Sequence, residues 1–128
     1  MPEPKLTVLL SAGQIATRIA EIGAQIDKDY PGTEPLYLLC VLKGAVLFYA
    51  DLARAIQRPV RMDFIGISSY GKGKTSSGEV KLTKDLDHSI EGCDVLVVED
   101  ILDSGITLSY LVHVLQQRKP RSVRIATL

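Results

Sequence analysis

Apolar and polar positions along the chain change period several times, and each change marks an element. Ile15, Ile19, Ile22 and Ile26 recur at helical spacing behind Ser11-Ala12-Gly13-Gln14, a capping box in which Ser11 accepts from a free backbone N–H and Gln14 reaches back. The spacing predicts a helix over 11–28, ended by Pro31-Gly32. The unbroken apolar run over 36–42 is what a strand buried on both faces of a parallel sheet requires. Phe48, Tyr49, Leu52 and Ile56 return to helical spacing over 45–57, and Pro59 closes that segment.

A second strand is expected over 60–68 and a short one over 79–83. Between them, 69–78 offers Tyr70 as its single apolar side chain among three glycines and a run of Lys, Ser and Thr. Such a stretch cannot bury enough surface to order itself and is expected to be a mobile loop. The β-branched run over 94–98 predicts a buried strand. Leu108, Leu111, Val112 and Leu115 line one face of a helix over 107–117, which Lys119-Pro120 stops, and 122–128 begins a further strand. Strands alternating with helices predict an α/β fold with a mostly parallel central sheet flanked by helices. With 128 residues, 46% of them hydrophobic, the chain is long enough for one domain and one core, expected over 1–128.

Charge and leader signals narrow the setting. Fifteen basic side chains balance fifteen acidic ones, which gives no basic footprint for nucleic acid or for an anionic membrane. No window reaches the about 18–20 apolar residues of a membrane span. Met1-Pro2-Glu3-Pro4-Lys5 places acid and proline where a signal peptide carries basic residues. A soluble, cytoplasmic protein is therefore expected. Cys40 and Cys93 form no C-x-x-C pair and neighbour neither His88 nor His113, so both read as ordinary thiols, and the two histidines as surface or partly packed side chains. Gly73-Lys74-Thr75 imitates the tail of a Walker A loop, but Ser68 stands where that motif needs glycine.

The chemistry concentrates in Val98-Glu99-Asp100-Ile101-Leu102-Asp103-Ser104-Gly105-Ile106-Thr107, where a buried strand ends in two carboxylates and turns into a helix. Open α/β sheets bind ligands at the carboxyl ends of their strands. Ser104, Gly105 and Thr107 would surround the first free N–H groups of the helix, a cradle for a phosphate. Glu99 and Asp100 can accept from sugar hydroxyls or hold Mg²⁺. A lone acid after a strand is commonly a helix cap, and Asp103 or Ser104 could serve as one. Three carboxylates within five positions, however, repel one another unless a cation or a set of donors faces them.

This run resembles the phosphoribosyl pyrophosphate motif of the type I phosphoribosyltransferases, and the rest of the chain is similar to the hypoxanthine-guanine branch of that family. Leu42-Lys43-Gly44-Ala45 resembles its pyrophosphate loop and Ser68-Ser69-Tyr70-Gly71 its flexible catalytic loop. The resemblance implies the type I phosphoribosyltransferase fold and a purine-salvage transferase. Phosphoribose would pass from phosphoribosyl pyrophosphate to hypoxanthine or guanine, with Mg²⁺ as the metal, giving IMP or GMP plus pyrophosphate. It further implies that Ser104, Gly105 and Thr107 hold the 5′-phosphate, with Asp103 beside them as the base or acid that exchanges a proton with the purine. Glu99 and Asp100 would bind ribose hydroxyls and Mg²⁺, while Lys43, preceded by a cis peptide, and Gly44 would meet pyrophosphate. Ser69 and Tyr70 are the loop residues.

Family members continue past the equivalent of Leu128 into a base-reading segment, so this chain is expected to lack that segment. Non-catalytic binding of phosphoribosyl pyrophosphate, by a regulator or by an inactive core, is the alternative. Phe48 and Leu52 suggest a partner surface and a homo-oligomer, a dimer or tetramer, although an intramolecular core explains them equally well.

Overall fold

The computed structural model describes residues 11–69, 80–99 and 105–127. In chain order the elements are α1 (Ala12–Asp29), β1 (Leu36–Leu42), α2 (Val46–Ala55), β2 (Val60–Ser69), β3 (Val80–Lys84), β4 (Asp94–Glu99), α3 (Gly105–Gln116) and β5 (Ser122–Thr127). The strands form one sheet in the order β3-β2-β1-β4-β5. All pairs are parallel except β2 with β3, which run antiparallel. The mobile loop expected over 69–78 falls, but for residue 69, outside the described residues.

Local chemistry explains where these elements begin and end. The Ser11 hydroxyl accepts from the Gln14 N–H at 3.1 Å while the Gln14 side chain accepts from the Ser11 N–H at 2.8 Å, the expected capping box. The Asp27 carboxylate accepts from the N–H groups of Gln57 at 3.0 Å and Arg58 at 3.1 Å, tying α1 to the turn before β2. After α3, Lys119 takes φ 61°, a left-handed conformation that ends the helix ahead of Pro120.

The sheet is packed on both faces. Leu36, Leu38, Cys40, Leu96 and Val98 point toward α1 and α2, where Ile19, Ile26, Phe48, Tyr49 and Leu52 meet them. Tyr37, Leu39, Val41, Val95 and Val97 point the other way, against Leu111 and Leu115 of α3. Phe48 at 7% and Leu52 at 0% exposure belong to the first of these cores, which corrects their reading as a partner surface. They fall on the sheet side of α2, whereas Leu47 at its start is 79% exposed. The helices close together: a Cβ on Gly23 of α1 would stand 2.7 Å from the Ala55 carbonyl oxygen of α2. Among the described residues, no helix is long and apolar enough to cross a membrane.

Candidate active site

The crevice that ligands use in open α/β folds is set by where the strand order reverses. In this chain that point lies between β1 and β4. From β1 the chain passes through α2 on one face to β2, and from β4 it passes through α3 on the opposite face to β5. Both connections leave from the carboxyl edge, so Lys43, which follows Leu42, and Glu99, which ends β4, lie at the same edge of the sheet.

On the β1 side stand Lys43 and Gly44, both exposed, and the Leu42–Lys43 peptide is cis as the resemblance implies. The turn continues directly into α2, whose Val46 N–H donates to the Lys43 carbonyl at 3.1 Å. No side chain caps α2. The positive end of its dipole therefore faces the edge beside an exposed lysine, a combination that favours an anion. On the β4 side Glu99 ends the strand one residue beyond the Cys40–Val98 pair. Burial, reinforced by the negative charge of Glu99, pushes the Cys40 thiol up to about 11, which keeps it protonated and inert.

Of the other residues singled out by sequence, Gly105 opens α3, Thr107 lies in its first turn and Ser69 closes β2. Asp100, Asp103, Ser104 and Tyr70 lie outside the described residues. The structure thus brings Lys43, Gly44, Glu99 and the start of α3 to one edge. Glu99 supplies the hard carboxylate oxygen that Mg²⁺ prefers. His113 is exposed and lies 3.3 Å from the Gln117 amide nitrogen, and Cys40 and Cys93 are both free thiols.

Sequence reasoning passed over one buried polar group, on β2 opposite Leu39 of β1. Asp63 of β2 is 1% exposed. Its carboxylate accepts from the Tyr37 hydroxyl, from the Asp87 N–H at 3.0 Å and from the Phe64 N–H at 2.8 Å, and the Lys84 ammonium stands 3.8 Å away. Burial alone would raise the Asp63 pKa, but these donors together with Lys84 outweigh it and hold the group below the usual carboxylate range. Burial and the Asp63 carboxylate push the Tyr37 phenol well above its ordinary value. The signal available in sequence was a single acid inside an otherwise strand-like run, which periodicity alone does not interpret.

Comparison with known proteins agrees with this geometry. A family described as "Phosphoribosyl transferase domain" matches residues 6–128. The hypoxanthine-guanine phosphoribosyltransferase of Mycobacterium tuberculosis is 54% identical over 127 residues, 95% of this chain and 63% of its own. That of Bacillus subtilis is 50% identical over 121 residues, 94% of this chain and 67% of its own. The chain thus spans about 63% of the length of the mycobacterial relatives. Among solved structures, a Bacillus anthracis hypoxanthine-guanine phosphoribosyltransferase superposes with a TM-score of 0.90 at 42% identity, covering 96% of this chain and 72% of that one. A Trypanosoma cruzi hypoxanthine phosphoribosyl transferase does so with a TM-score of 0.89 at 45% identity, covering 99% and 71%.

Proposed function

The chain belongs to the phosphoribosyl transferase domain family, and on that premise we propose that it is a cytoplasmic purine-salvage enzyme. It moves phosphoribose from phosphoribosyl pyrophosphate to hypoxanthine or guanine, giving IMP or GMP and pyrophosphate. The observation that carries this reading is the meeting of the Lys43-Gly44 turn and the Glu99 strand end at one reversal point of the sheet. Similarity to relatives named for this reaction supports the choice of substrate.

Each residue then has a task that its chemistry suits. Lys43 and Gly44, at the uncapped start of α2, stabilise the charge growing on the departing pyrophosphate. Ser104, Gly105 and Thr107, at the start of α3, hold the 5′-phosphate with backbone donors and hydroxyls. Glu99 and Asp100 accept from the ribose hydroxyls and would hold Mg²⁺, which when bound neutralises part of the pyrophosphate charge. Asp103 exchanges a proton with the purine ring nitrogen as the new bond to the sugar forms. Ser69, at the end of β2, leads into the loop of Tyr70 that keeps water from the cationic sugar.

A homo-oligomer completes the reading, with Val46 and Leu47 at 37% and 79% exposure as the apolar contacts in place of Phe48 and Leu52. In the Trypanosoma cruzi protein the C-terminal region has a role in oligomeric state and activity. Binding of phosphoribosyl pyrophosphate without transfer is the second reading. Base-dependent turnover in the wild-type chain separates the two, and the variant Asp103→Asn then tests the first. Transfer predicts that turnover falls by about 10²-fold or more while phosphoribosyl pyrophosphate still binds by calorimetry. Unchanged turnover would remove Asp103 from its role.

A further inference from the structure

Three residues occupy one row across the sheet, level with the end of β1. Leu42 of β1 pairs with Gly66 of β2, and Gly66 pairs with Lys84 of β3. Lys43 follows Leu42, so this row is the floor on which the pyrophosphate turn stands. The pairing is irregular at this point: Gly66 faces Lys84 while Ile67 faces Leu82, leaving Thr83 as the extra residue of a β-bulge. A bulge bends its strand and re-aims whatever follows. Glycine is favoured opposite it, because a Cβ on Gly66 would stand 2.6 Å from the Thr83 hydroxyl oxygen and 3.3 Å from the Lys84 backbone nitrogen.

The bulged strand is tied down from below. The Lys84 ammonium donates to the Phe64 carbonyl at 3.1 Å, to the Asp85 carbonyl at 2.9 Å and to the Asp87 carboxylate at 3.4 Å. It also stands 3.8 Å from the buried Asp63 carboxylate. Phe64 and Asp63 lie on β2 just before Gly66, so one side chain of β3 grips the partner strand next to the bulge. We propose that Lys84 and Asp63 are positioning residues for phosphoribosyl transfer, fixing the bulge and hence the course that β2 takes past Leu42 toward Ser69, on the side of the sheet where Lys43 and Gly44 follow β1. This rests on the function proposed above. The requirement is steep, since a misplacement of about 1 Å at a reacting centre can cost about 10²-fold in rate.

The experiment compares Lys84→Met, which keeps the stem and removes the charge, with Lys84→Arg, which restores it, well below the melting temperature of each. Lys84→Met is expected to lower kcat about tenfold or more with KM for phosphoribosyl pyrophosphate held within about threefold, and Lys84→Arg to recover most of kcat. Amide exchange should quicken at Ile67, Ser68 and Leu82 but not in α1. A folded Lys84→Met with kcat within about twofold of wild type, or with unchanged exchange at those amides, overturns the proposal. Gly66→Ala disturbs the same bulge without touching the buried charge and should show the same split. Wild-type kcat in that variant overturns the proposal even if Lys84→Met does not fold. Absence of base-dependent turnover in the wild-type chain refutes the proposed function instead, and exchange in Lys84→Met then still shows whether the tie holds the strand ends.

Discussion

The two faces of the central sheet are built on different principles. Against α1 and α2, Leu36, Leu38, Cys40, Tyr49 and Leu52 form an apolar layer in which the Tyr49 hydroxyl donates to the Leu38 carbonyl at 2.7 Å. Against α3, Tyr37, Leu39, Val41 and Ile65 share the interior with the buried Asp63 carboxylate and its donors. The first face gains its stability from area removed from water, which is non-directional and tolerates small shifts. A buried carboxylate is instead acceptable only while every donor stays in place, so the second face specifies position. The positional face carries the Asp63–Lys84 tie beside the β2–β3 bulge, and the apolar face holds α1 and α2.

Substitutions on each face should separate these principles. The largest loss is expected from Leu38→Ala, which opens a cavity at a fully buried position and should lower unfolding free energy by about 2–5 kcal/mol in denaturant titration. Its kcat in the remaining folded protein should stay close to wild type. Asp63→Ala should cost about 1–3 kcal/mol, because the Tyr37 hydroxyl and the Asp87 N–H lose their acceptor, and here kcat should fall as well. Equal kinetic effects from the two variants would erase the distinction between the faces.

Acid should act through the same carboxylate. Its pKa is lowered in the folded state, so its contribution is complete above the unfolded value of about 3.9 and is lost as pH falls through the folded one. Denaturant midpoints of wild type should therefore decline below about pH 4, less steeply in Asp63→Asn. Asp85 and Asp94, held low chiefly by Arg118 and Arg121, will leave part of that decline in the variant. Ser11→Ala should cost about 1 kcal/mol by removing the α1 cap. The smallest effect is expected for Asp85→Asn, an exposed partner of Arg118, at below about 1 kcal/mol.

The same contrast governs what could be read from the sequence. The apolar face was legible because burial imposes a period: β1 falls on its expected residues, and α1 starts at its predicted cap. Glu99 stood out because a buried strand ending in paired carboxylates marks a carboxyl edge, whereas Lys43 and Gly44 stood out only through the family resemblance. Phe48 and Leu52 show the limit of periodicity, which identifies an apolar stripe but not what covers it. Asp63 and Lys84 lie 21 positions apart in sequence and meet only through an antiparallel pairing with a bulge, which no local pattern encodes.

The most direct test of the account is pyrophosphate release from phosphoribosyl pyrophosphate and Mg²⁺ with hypoxanthine, guanine or xanthine, beside a control without base. The account predicts release that depends on hypoxanthine or guanine. Release that is absent, or no faster with base than without it, would contradict phosphoribosyl transfer to a purine by this chain.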